Sequence, residues 1–212
     1  MRRLGLALIA VAALGSIAPA RAQVYGQFTG AETVPAGGRL FGAYAFSSEN
    51  VVGLLAQLRL SFYPDVDFGF HGGVARQDWE GGSRTTVRLG VGLKVKIQEP
   101  TARLPVALAI GGDLGVETGD DFHVLTVGPD LIASRSFALG QTGAVTPYGR
   151  IGLAVTNFDI RSIKDTDVSV PVRMGGDFKV GPQLHLSLEL QLQLGDALND
   201  NLGLAGGVNL PF

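Results

Sequence analysis

Residues 183–194, QLHLSLELQLQL, alternate polar and apolar side chains over twelve positions without interruption. In an extended chain Leu184, Leu186, Leu188, Leu190, Leu192 and Leu194 fall on one side. Gln183, His185, Ser187, Glu189, Gln191 and Gln193 fall on the other, because successive side chains of a strand project to opposite faces. A helix would scatter the same leucines around its circumference. The half-buried strand of a soluble sheet usually runs to about 5 or 6 residues, whereas a tilted strand that crosses a bilayer needs about 9 to 11. The length therefore favours a strand with hydrocarbon on one face and a polar space on the other.

The pattern recurs. Val87, Leu89, Val91, Leu93, Val95 and Ile97 alternate with a set that holds Arg88, Lys94 and Lys96, and a face with three cations cannot be the lipid side. Val52, Leu54, Ala56, Leu58, Leu60 and Phe62 alternate with Gln57, Arg59 and Ser61, and Val168, Val170, Val172, Met174, Phe178 and Val180 with Ser169, Arg173, Asp177 and Lys179. Weaker versions lie at about 38–47, 67–77, 105–117, 122–135, 145–157 and 200–212, which makes ten candidate strands, with eight as the alternative count. SSEN, DWEGGS, ETGDD, DIRSIKDTD and GDALND form one set of connectors; PDVD, EPTARLP, FALGQTG and VGP form the other. All have turn chemistry. The predicted fold is all-β, an up-and-down antiparallel meander with both termini at one end.

Composition narrows the classes. Glycine, at 31 of 212 residues, is about twice as frequent as usual, and charged residues, at 17%, fall below the usual quarter. A formal net charge of −2 gives no electrostatic basis for nucleic-acid binding. With no cysteine, disulfides and thiol chemistry are excluded. MRR, the apolar run LGLALIAVAALGSIA and Ala20-Arg21-Ala22 read as a secretory signal peptide over 1–22, cleaved before Gln23. An N-terminal periplasmic segment is expected over 23–37 and the barrel over 38–212. No later stretch is long and apolar enough for a transmembrane helix.

The chain ends in Leu202, Leu204, Gly206, Val208, Leu210 and Phe212, apolar at nearly every second position with an aromatic last residue. In this the sequence resembles the small bacterial outer-membrane β-barrels of the OmpA/OmpX type, over about residues 38–212 and without a peptidoglycan-binding domain. The resemblance implies a closed transmembrane barrel in the cell outer membrane. It also implies Phe212 as the signal read by the assembly machinery, periplasmic chaperones and outer-membrane lipid as partners, a monomer, and no cofactor or metal. Phe62, Tyr63, Phe68, Trp79, Phe122, Phe137, Phe158 and Phe178 near strand ends are candidates for the aromatic girdles of such barrels. The rival is a water-soluble carrier barrel, apolar inside and polar outside.

On the membrane reading Arg59, Arg88, Lys94, Arg150 and Arg173 share the lumen with Asp113, Asp130, Asp177 and Glu189, with Lys96 and Lys179 on the same face. Mixed signs in a narrow space suggest a charge-paired plug and a structural or surface role; the alternative is the lining of a narrow channel for small solutes. Glu189 is expected between or beside the Arg150 and Arg173 guanidiniums, all three near mid-strand. Catalysis, as in outer-membrane lipid-modifying enzymes or proteases, would require His71, His123 or His185, or the Asp120–Asp121–His123 cluster at a strand tip. None sits in a recognisable catalytic motif, and no enzyme is expected. HGGVAR and GGDLG lack the context of phosphate loops. GGD at 111–113 recurs at 175–177.

Overall fold

A computed structural model describes residues 28–79, 82–140, 142–160, 163–194 and 201–212. The signal peptide expected over 1–22 and the GDALND connector at 195–200 lie outside the described residues, as do parts of DWEGGS and DIRSIKDTD. Twelve segments pair antiparallel: β1 Arg39–Ser48, β2 Val51–Tyr63, β3 Val66–Trp79, β4 Gly82–Gln98, β5 Ala107–Gly119, β6 Phe122–Ser134, β7 Phe137–Leu139, β8 Gly143–Gly152, β9 Ala154–Ile160, β10 Ile163–Gly181, β11 Leu184–Leu194 and β12 Asn201–Pro211. β12 pairs with β1, so the sheet closes on itself.

These segments make ten barrel strands. β7 continues the register of β6 against β8, and β8 and β9 share one register against both β6 and β10. The break between β8 and β9 falls at Leu153, level with Pro129 on β6 and next to Gly152, which lies against Pro171 on β10. A proline cannot donate to the ladder, so hydrogen bonding lapses where two of them flank one strand. Leu153 N–H still reaches the Pro129 carbonyl, at 3.0 Å.

Tight turns join the strands. Glu49 and Asn50 link β1 to β2, Pro64 and Asp65 link β2 to β3, and Asp120 and Asp121 link β5 to β6. Asp65 and Asp121 take positive φ, 62° and 51°, a conformation that aspartate tolerates better than most residues.

The facing matches the alternation. Leu54 and Leu89 are each 62% exposed on the outer surface and Leu188 52%, while Arg59, Asp67 and Glu117 are fully buried inside. This polarity, apolar outside and charged inside, is the inverse of the soluble carrier barrel. Phe62, Phe68, Phe137 and Phe178 stand on the outer face towards the end that carries the termini, with the Phe62 and Phe68 rings 6.2 Å apart. Phe122 and Phe158, expected in a girdle, turn inward instead and cluster with Val124 at the opposite, distal end. Their parity decides this: each sits in an even-numbered position of a strand whose even positions face the lumen. The side chain of Trp79 is outside the described residues.

Candidate functional site in the barrel lumen

Much of the charge in the lumen falls into neutralising clusters. Arg59 on β2 is in contact with Asp67 on β3, and Lys94 on β4 lies 3.5 Å from the other Asp67 oxygen. Arg88 on β4 meets Glu117 on β5 at 3.1 Å, with its guanidinium 4.8 Å above the Phe46 ring. Glu117 also accepts from Thr86 at 2.5 Å and Gln77 at 2.7 Å. Arg150 on β8 lies 3.2 Å from Asp130 and 3.8 Å from Asp113. Buried charges are tolerated when paired in this way.

Glu189 departs from expectation. Its partners are the Tyr148 hydroxyl, which donates at 2.7 Å, and the Gln191 amide, with no guanidinium in ion-pair contact among the described residues. Register gives the reason. Arg173 pairs with Arg150 on one side and Gln191 on the other, which places both arginines one inward position away from Glu189. Glu189 and Tyr148 both pair with Gly175, from opposite sides. A Cβ at Gly175 would stand 2.4 Å from Tyr148 Cζ, so glycine is what lets the tyrosine ring cross β10 and reach the carboxylate. Gly111 has the same use: it pairs with Asp130, whose carboxylate lies across it. The repeated GGD thus marks two places where a lumen side chain crosses a neighbouring strand.

Asp177, expected inside, is there. It accepts from His185 Nδ1 at 2.8 Å, and its other oxygen lies 3.4 Å from both Ser187 Oγ and Asn209 Nδ2. Asn209 in turn accepts the Tyr44 hydroxyl. Lys96, at the rim near the termini, lies 3.1 Å from Asp65, 2.5 Å from Glu99 and 3.2 Å from Glu32. The three histidines have separate surroundings. His71 lies across Gly90 in the lumen, His185 is held by Asp177, and His123 faces outward against Thr118 Oγ1 at 2.9 Å. A cavity of about 50 Å³ lies beside His71 and Arg173, bounded by Asp113, Asp130, Thr126 and Gln193.

Two acidic groups central to the lumen, Asp67 and Glu117, sit at the ends of the candidate strands 67–77 and 105–117, where these overlap the connectors PDVD and ETGDD. The strands run one or more residues further than alternation indicated and carry both carboxylates inside. A longer omission concerns the segment before β1. Residues 28–34, expected in a segment outside the barrel, run up into it. Phe28 stacks on Tyr44 with ring centroids 4.3 Å apart, and Ala31 is fully buried among Ala107, Ala109 and Ile132. The chain turns back into β1 at Pro35–Gly38, where Gly38 N–H donates to Pro35 O at 2.8 Å and Gly37 takes φ 79°. That positive φ, third in a four-residue turn, is the place for glycine. Beside this segment a vestibule of about 590 Å³ opens at the termini end, bordered by Arg39, Lys179, His185 and Phe212.

No protein-family model and no curated protein matches the chain. Among solved structures it is similar to the β domain of the Bordetella autotransporter BrkA, 15% identical, with a TM-score of 0.54 over 84% of this chain and 100% of that one. Weaker likenesses include an outer membrane channel from Pseudomonas putida F1, 14% identical, TM-score 0.44, over 86% of this chain and 98% of that one. Neisserial surface protein A is 12% identical, TM-score 0.36, over 84% of this chain and 98% of that one. At these identities the likeness is one of fold. The closed ten-strand ladder, the apolar outer face and the likeness to BrkA give the chain the fold of a small outer-membrane β-barrel.

Proposed function

We propose that the protein resides in the outer membrane as a barrel closed by its own lumen, with a structural or surface role rather than a catalytic one. The observation that carries this is the cross-section at Lys94. There the Arg59–Asp67–Lys94 cluster and the main chain of residues 29–32 occupy the same part of the lumen, with Lys94 Nζ 2.9 Å from the Gly30 carbonyl. On this reading a cleaved signal peptide over 1–22 delivers the chain, Phe212 marks it for the assembly machinery, and it works as a monomer among outer-membrane lipids without a cofactor. The separate surroundings of His71, His123 and His185 support the non-catalytic reading.

A narrow channel is the second reading, and the vestibule of about 590 Å³ beside residues 28–36 favours it. Single-channel recording in a planar bilayer separates the two. The closed-lumen reading expects a silent full-length barrel and openings in a variant that lacks residues 28–36. Stable openings in the full-length protein would overturn it in favour of the channel.

A further inference from the structure

Residues 28–36 form no sheet ladder, yet they are held at specific atoms. Lys94 Nζ donates to the carbonyls of Gly30, at 2.9 Å, and Glu32, at 2.5 Å. Ser134 Oγ accepts from the Ala31 N–H at 3.0 Å, and Asp67 Oδ2 accepts from the Val34 N–H at 3.1 Å. These four contacts all go to main-chain atoms. Side-chain contacts are fewer: Thr29 Oγ1 lies 3.2 Å from Lys94, and Glu32 meets Lys96 at the rim, also at 3.2 Å.

The wall opposite Ala31 consists of Ala107, Ala109 and Ile132, each buried to 1% exposure or less. The inward positions of β5 nearest Ala31 are therefore small, which makes a groove in a lumen filled elsewhere by larger side chains such as Arg59, Arg88 and Tyr148. Phe28 adds one aromatic anchor on Tyr44. Main-chain bonds that hold an extended segment, with a pocket for one side chain, are the means by which extended peptides are recognised in general.

We propose that this wall is a peptide-binding seat for an extended chain with a small residue at its centre. Residues 28–36 occupy it in cis, and it takes the same peptide in trans once they are removed. The inference extends the closed-lumen reading by making the closure a binding equilibrium. The tether through the Pro35–Gly38 turn keeps the segment at high effective concentration and the seat filled.

The test uses a fluorescent synthetic peptide of residues 28–36, FTGAETVPA, and the detergent-folded variant that lacks those residues, with folding checked by heat-modifiable gel migration. Fluorescence anisotropy should show saturable binding to this variant and binding weaker by at least about tenfold to the full-length barrel, whose seat is filled. T29A and T33A together in the peptide should change affinity by no more than about threefold, since the main chain supplies most contacts. A31W or the reversed sequence should abolish binding. Lys94→Met in the shortened barrel should weaken it by about tenfold, the loss of a charged donor to two carbonyls. The A31W peptide tests the seat without altering the barrel, should Lys94→Met misfold.

Equal binding of the forward and reversed peptides, equal binding to the full-length barrel, or no binding to a folded shortened barrel would each overturn the seat. Bilayer conductance is read separately. A shortened barrel that conducts without capturing peptide leaves the closed-lumen reading in place and overturns the seat. Capture without any conductance change supports the seat and overturns the plug.

Discussion

Glu117 offers the sharpest test of the charge-paired lumen. It is fully buried on β5, and its two oxygens receive Arg88 at 3.1 Å, Gln77 at 2.7 Å and Thr86 at 2.5 Å. Arg88, 1% exposed and stacked on Phe46, cannot carry its charge to water if the carboxylate is lost. Glu117→Ala therefore removes the carboxylate that pairs with a buried guanidinium, at a cost of about 3 to 5 kcal/mol, less where lumen water or another group reaches it. Glu117→Gln keeps one acceptor oxygen and the shape of the site. It should cost about 1.5 to 3 kcal/mol, the range for hydrogen bonds to charged groups. Replacing both partners removes the charge and its need together, so Arg88→Met/Glu117→Leu should be more stable than either single variant. The measurement is urea unfolding in detergent or liposomes, followed by the gel shift between folded and unfolded barrel. A double variant whose loss equals the sum of the single losses to within about 0.5 kcal/mol would refute the pairing, since independent sites add to that degree.

Other consequences can be checked in the same assay. Glu189→Gln should cost only about 1 to 2 kcal/mol, because the Tyr148 hydroxyl can still donate to the amide oxygen; a loss as large as that of Glu117→Ala would mean that a guanidinium is its true partner. Gly175→Val should push Tyr148 off the row it shares with Glu189 and cost about 1 to 3 kcal/mol, and a variant as stable as the parent would show that the ring does not cross the strand there. Leu188→Arg, on the outer face at 52% exposure, should cost about 2 to 4 kcal/mol if it lies near the bilayer midplane, against little change for Leu188→Phe; equal effects would contradict the lipid-facing assignment. Deletion of Phe212 removes the residue that exchanges main-chain hydrogen bonds with Arg39, at 2.9 and 3.1 Å, and the aromatic end that resembles an assembly signal. The folded fraction in cells should fall with export unchanged, and unaltered assembly would count against both roles.

The sequence by itself determined which way most strand side chains face. Strict alternation such as QLHLSLELQLQL admits one solution once the leucines must meet an apolar medium, and a one-residue slip would reverse the whole set. Strand number, meander order and the inside-out polarity follow from that local rule and from turn chemistry, and the structure agrees with them. Partnership is another matter, because it depends on register between strands far apart in the chain. Alternation placed Arg150, Arg173 and Glu189 on the inner face near one height. Only the ladder shows that Gly175 stands between Tyr148 and Glu189, while Arg173 is opposite Arg150 and Gln191. Asp67 and Glu117, at the ends of candidate strands, were less legible for a related reason: Asp65 and Gly119, two residues from them, have the chemistry of a turn, and only a neighbouring strand that supplies Arg59 or Arg88 keeps each carboxylate inside. Residues 28–36 carry no periodic signal at all. Their place in the lumen is decided by Lys94, Asp67 and Ser134, which lie 33 to 103 positions away in the chain, and by a groove that exists only after β5 and β6 have paired.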